Sequence, residues 1–381
     1  MDLEPRSRRR GNRGACRRRL DESLGGEGLM RGPEEVVLKA LSGATLDDIQ
    51  AWMDEAGVED WLHLCEAAVF MGALDLVDGW LGQLTPAQAA VLDMVRIRAA
   101  RGSLDEAVIE AALAVCSTQD TRDLALEGRV RMERGLFRFE QGEHEGARDD
   151  LTWAETRLKS VAKASRDHDL TLLNKAAFHL ALGEQVMALQ VYGEMSRTAG
   201  HANESIAISR LSAGRIYGDL GQMFDALRLL WISHTYAILA GQRLLAIEAG
   251  TTFVDMAEAH LSEDATAMSE QVEHATPRNV GDEAPKAGVL RSEAEKVLAW
   301  CASACGDRVD GPERPDLRAV ALLAARYDRL DVIDHLRGAY DGVEDPMLCA
   351  VMQHVDAEDA DAWSQRMAQL TMHALDPQTE V

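Results

Sequence analysis

One stretch constrains this chain more than any other: Gly128 to Leu158, GRVRMERGLFRFEQGEHEGARDDLTWAETRL. Its apolar residues recur at helical spacing on both sides of Gln141-Gly142-Glu143. That pattern predicts two amphipathic helices joined by a tight turn. Weaker copies flank it, each centred on a glycine: Gly72, Gly102, Gly142, Gly183 and Gly221. Five residues after these lie Val77, Ala107, Ala147, Ala188 and Ala226; four further on lie Leu81, Ala111, Leu151, Tyr192 and Leu230. Leu84, Ala114, Ala154, Met195 and Ser233 follow three beyond that. Steps of four and three keep these positions on one face of a second helix. Seven residues before each glycine stand Cys65, Val95, Gly135, Ala176 and Gly214, so in the last three copies small residues face one another where two helices would cross. Glycine suits the turn because a helix C-terminus often needs a left-handed backbone.

Helix formers dominate the composition. Apolar residues make up 46% of the 381 and aromatics only 5%, enough for a core but poor in strand-forming runs. The fold expected is all-α.

These glycines and small residues resemble the tetratricopeptide repeat. The family's small residue on the first helix matches Gly135, Ala176 and Gly214, and its aromatic three positions on matches Tyr217, with Phe137 and Phe139 straddling that place one copy earlier. Its second-helix alanine matches Ala147, Ala188 and Ala226. The late proline is absent: Lys159, Gly200 and Ile238 stand there. Turn glycines are 30, 40, 41 and 38 residues apart, longer on the whole than the family's period of about 34. The chain is thus similar to divergent, long-period arrays of bacterial regulators, over residues 58–260 and most clearly over 128–240. The resemblance implies a right-handed α-solenoid of helical hairpins with a helical C-terminal extension.

The domain reading follows. Residues 1–31, crowded with Arg6, Arg8, Arg9, Arg10, Arg13, Arg17, Arg18 and Arg19, are read as a disordered basic tail, either one for nucleic acid or an acidic surface or an upstream extension, with Met1 and Met30 both open as the start. The array occupies 32–275, a linker rich in Pro and Gly 276–289, and further helices 290–376. After Leu244 a further helix pair is expected, with Gly250 on its first helix and Ser262 capping its second.

A formal charge of −24 argues against nucleic-acid binding, which needs clustered Lys and Arg. No run of about 18 apolar residues predicts a membrane span. The six scattered cysteines read as reduced, buried thiols of a cytoplasmic protein.

Catalytic patterns are missing: there is no phosphate-binding G-x-x-x-x-G-K-[ST], H-E-x-x-H or G-x-S-x-G. Cys301 with Cys305, the group Asp331, Asp334 and His335, and the turn residues Glu140, Glu143, His144 and Glu145 read as structure or solvated surface. Asp167-His168-Asp169 reads as a helix-capping turn. No enzyme activity, cofactor or metal is expected, and the oligomeric state stays open.

What the resemblance implies instead is a concave groove lined by first helices, holding a protein or peptide partner. By position its lining would be Arg129, Met132, Leu136, Phe139 and Glu140, then Leu173, Ala177 and Leu180, then Leu211, Arg215 and Asp219. The family's carboxylate-clamping Lys and Asn have no counterpart, since Met132 and Leu136 stand at those places. The function expected is an interaction scaffold or adaptor. A regulatory sensor reading a peptide or small ligand, and an enzyme built from scattered residues, are the alternatives.

Overall fold

The computed structural model describes residues 61–263 apart from 119 and 121, 290–305, and 315–336 apart from 328, 330 and 334, together with 45 and 47. The basic tail over 1–31, the linker over 276–289, Asp334 and everything after 336 lie outside the described residues.

Among the described residues the regular structure is entirely helical. Five hairpins follow one another: α1 (Trp61–Phe70) with α2 (Leu74–Trp80), α3 (Pro86–Arg101) with α4 (Glu106–Ser117), α5 (Leu124–Glu140) with α6 (His144–Val161), α7 (Arg166–Ala181) with α8 (Gln185–Glu194), and α9 (Asn203–Asp219) with α10 (Met223–Leu239). Then come α11 (Arg243–Glu263), α12 (Leu290–Cys305) and α13 (Pro315–Arg326). No helix among the described residues is long and apolar enough to cross a membrane.

Local chemistry explains the starts. Thr85 and Gln88 exchange hydrogen bonds with each other's backbone N–H at the head of α3, with Pro86 as its first residue. Asp123 accepts the N–H of Ala125 and Leu126 to begin α5.

The turns share one geometry. Gly72, Gly142, Gly183, Gly221 and Gly241 have φ of 74°, 80°, 76°, 71° and 71°. In each, the residue after the glycine returns its N–H to a carbonyl five positions earlier, as Glu143 does to Arg138 at 2.8 Å. This bond satisfies a helix-end carbonyl and needs the left-handed residue that glycine supplies. Gly241 adds a turn that the glycine spacing did not include, so α11 starts at Arg243. Ser262 lies inside the last turn of α11, and the helix it was expected to cap lies outside the described residues.

Register departs at Gly102. Here α4 starts four residues after the glycine, where the other turns allow two. Leu104 is buried in the longer turn and Asp105 precedes the helix. The buried face therefore moves on by two, to Ile109, Leu113 and Cys116, and Ala107, Ala111 and Ala114 are exposed. At Gly72 the second helix is short. It ends at Trp80, and Leu81 falls in a 3-10 turn that leaves it exposed.

The expected crossings hold in α5–α6 and α9–α10. A Cβ on Gly135 would lie 3.0 Å from Leu151 Cγ and 3.2 Å from the Ala147 carbonyl oxygen; one on Gly214 would lie 2.9 Å from Leu230 Cγ and 3.3 Å from the Ala226 carbonyl oxygen. Ala147, Ala188 and Ala226 are fully buried. Each hairpin packs its own two helices together, and from the second hairpin on the second helix meets the first helix that follows. First helices also touch first helices in succession: α1 with α3, α3 with α5, α5 with α7, α7 with α9 and α9 with α11. Beyond α11, the apolar faces of α12 (Leu290, Ala294, Leu298) and α13 (Leu317, Val320, Ala324) join its core.

Candidate functional site

The first helices α5, α7, α9 and α11 carry the residues that the resemblance assigns to a groove, and the fold treats them unequally. Met132 is buried. Its sulfur accepts the side-chain N–H of Asn174 on α7 at 3.3 Å. Leu136 is half-buried. Phe139 is half-buried and stands edge-on to Phe178 and His144, with ring centroids 5.4 and 5.5 Å away. Leu173 is half-buried against the core between α7 and α9. Glu140, Arg215 and Asp219 are exposed.

Arg129 departs most from a groove position. It is only 7% exposed. Its guanidinium pairs with Glu66 on α1, and its Nε lies 3.5 Å from Asp167 on α7. Arg166 on α7 comes within 4.0 Å of the same Glu66, and Arg98 on α3 pairs with Glu133 on α5 at 2.7 Å. Carboxylates and guanidinia from four first helices thus meet. Burial lowers the pKa of Arg129, but Asp167, Glu66 and Glu133 outweigh it and the net shift is upward. Glu133 is held above the ordinary carboxylate range by burial, against the pull of Arg98 and Arg129. Charges taken out of water are tolerable only when paired in this way. A ligand reaching Arg129 or Met132 would have to open these contacts, so neither residue lines an open groove.

A second polar centre joins α5 to α6. Asp150 is buried and receives three arginines of α5: Arg131 at 3.4 Å, Arg134 at 2.7 Å and Arg138 at 2.8 Å. Arg131 also lies over the Trp153 ring, 4.2 Å from its centroid. The sequence signal was available in Arg131, Arg134 and Arg138, three cations on one helix face at steps of three and four. The partner they share, Asp150, lies on the next helix, where the spacing within α5 gives no sign of it.

The face that stays open is built by α9 and α11. The Arg215 Nη2 lies 2.8 Å from Glu248 Oε1 and 3.5 Å from Thr252 Oγ1, with Asp219 one turn further along α9. Exposed ion pairs of this kind exchange partners at little cost, which is what a polar docking surface requires.

The other sequence candidates sit as follows. Cys301 and Cys305 are buried between α11 and α12, and burial drives the Cys301 thiol well above its usual range. A Cβ on Gly250 would sit 2.7 Å from Cys301 Sγ. Asp331 pairs with Arg329 at 3.0 Å and is held below the usual carboxylate range by that bond. Ser165, not Asp167, caps α7 by accepting the N–H of His168 at 3.2 Å. In comparisons with known proteins, no family model, no curated protein and no solved structure matches this chain.

Proposed function

We propose that this chain is a non-catalytic protein-interaction scaffold, a right-handed solenoid of hairpins resembling tetratricopeptide repeats. Its partner is a protein or peptide segment that docks on the exposed face of α9 and α11 around Arg215 and Asp219. One observation carries the reading: a single hairpin geometry recurs, and first helices pack on first helices in succession. Such succession supports an array in which each unit covers the apolar flank of the next. The charge of −24 favours a protein partner over nucleic acid. Buried free thiols at Cys65, Cys116, Cys301 and Cys305 favour a reducing compartment such as the cytoplasm.

A photo-crosslinking amino acid placed at Asp219 tests the docking face, with the same group at exposed Thr152 on α6 as control. Discrete protein adducts are expected at Asp219 only, and Arg215→Glu is expected to abolish them. Equal adducts at both positions, or adducts indifferent to Arg215→Glu, would overturn the reading.

A further inference from the structure

The fold brings His201, from the loop ahead of α9, against His168 and Asp169 in the first turn of α7. One donor atom from each residue lies within 4.8 Å of the other two. All three side chains are buried. The imidazole rings are stacked, with centroids 5.5 Å apart and planes 28° from parallel. Asp169 Oδ1 is 2.5 Å from His201 Nδ1, and Oδ2 accepts the Ala202 N–H at 2.9 Å.

His168 carries the decisive detail. Its Nδ1 accepts the N–H of Ala164 at 3.1 Å. The proton of the neutral ring therefore sits on Nε2. That nitrogen is buried and has no hydrogen-bond partner. Native interiors rarely leave such a group unsatisfied, and a cation can take this nitrogen once the ring proton has moved to Nδ1.

We propose that His168, Asp169 and His201 form a binding site for a transition-metal ion of the zinc class. The donors are two imidazoles and one carboxylate, a set that suits zinc or cobalt. Calcium and magnesium want oxygen ligands, which only Asp169 offers. Donors held at about 2.0–2.2 Å from one ion stand roughly 3.4 Å apart in a tetrahedron, so separations of up to 4.8 Å close by little more than about one ångström, while the 2.5 Å Asp169–His201 contact opens and releases its proton on binding. The residual positive charge of the site faces Glu155 on α6, which is itself paired with Lys175, and the nearby Lys159 opposes it.

Coordination through His168 Nε2 moves the ring proton to Nδ1, where the Ala164 N–H now points. The backbone offers a remedy. Ala164 is the one non-glycine with positive φ among the described residues, at 57°. Turning over the Lys163–Ala164 peptide presents the Lys163 carbonyl to the Nδ1 proton. The same rotation carries Ala164 to negative φ and relieves its strain. The ion would clip the start of α7 to the loop before α9, joining two consecutive hairpins.

The test uses the whole chain, stripped with chelator and titrated with Co²⁺ under visible absorption. One equivalent is expected to bind, with the intense bands of a tetrahedral ion, and Zn²⁺ is expected to displace it and raise Tm. His168→Gln and His201→Asn should each weaken binding beyond the roughly 10–100-fold cost of losing a supporting partner. X-ray absorption on the wild-type zinc complex keeps the test independent of how the variants fold. It should report imidazole and oxygen ligands without sulfur. Failure to saturate at one equivalent, sulfur in the shell, or unchanged affinity in both variants would overturn the site.

Discussion

Arg129 on α5 and Glu66 on α1 form a buried ion pair, although three helices separate them along the chain. The pair takes two charges out of water on the face where first helices meet. The cost of breaking it is therefore larger than its net worth, because either partner alone is left buried with only a more distant counter-ion, Arg166 for Glu66 and Asp167 for Arg129. Arg129→Met is expected to lower the unfolding free energy by about 3–5 kcal/mol in urea titration. Adding Glu66→Gln should recover at least about 1 kcal/mol of that loss, since the second change removes the stranded carboxylate. Strict additivity of the two would show that the pair is not coupled. Arg215→Ala is the contrast: its pair with Glu248 has side chains 48% and 52% exposed, and the expected loss is below about 1 kcal/mol.

Asp150 gathers Arg131, Arg134 and Arg138, so one neutralising change removes the buried anion that all three share and leaves them only Glu127, Glu110 and Glu143. Asp150→Asn keeps the shape and loses the charge. A loss of about 3 kcal/mol is expected by denaturant titration, with far-ultraviolet dichroism of the native state unchanged.

Two glycines within helices should respond oppositely to alanine. At Gly193 a Cβ meets nothing within 4 Å, so Gly193→Ala gains helix propensity and should stabilise by about 0.4–1 kcal/mol. At Gly214 the Cβ would lie 2.9 Å from the buried Leu230. Overpacking there costs about 1–3 kcal/mol and outweighs the propensity gain. Thermal unfolding of both variants checks the pair; a rise in Tm for Gly214→Ala would mean that α9 and α10 do not approach so closely.

His234 predicts a pH dependence. Its ring is buried beside Trp300, donates Nδ1–H to the Ala246 carbonyl at 2.8 Å, and has its pKa lowered from 6.5 to about 4, chiefly by burial and against that hydrogen bond. Above pH 6.5 neither state binds the proton and the group contributes no slope. Between 6.5 and about 4 the unfolded chain is protonated and the native ring is not, so stability falls as pH falls. The slope is about 1.4 kcal/mol per pH unit, and it ends once the native ring also charges. His234→Asn keeps a side-chain donor and cannot titrate, so its stability profile should be flatter across that window.

Much of the local structure was legible before any coordinate. Turn glycines, small crossing residues and the four-and-three spacing after Gly142, Gly183 and Gly221 all sit where their chemistry puts them, because those features are satisfied within one hairpin. The register at Gly102 was not legible, since two extra turn residues leave the spacing plausible while moving the buried face from Ala107 to Ile109. The polar centres were hidden for a different reason. Glu66 and Arg129 belong to different helices, and His168 and His201 to a helix and a separate loop, and nothing in either segment names its partner.

The sequence by itself determined that this protein is helical, where most of its hairpins turn, and which helices approach closely through glycine and alanine. Those are short-range matters of backbone conformation and side-chain size. Only the tertiary structure decided which charged residues are buried together, that Arg129 and Met132 are enclosed while Arg215 and Asp219 stay in water, and that two histidines share one pocket with Asp169. Pairing and desolvation depend on distances across the fold, and helical periodicity carries no record of them.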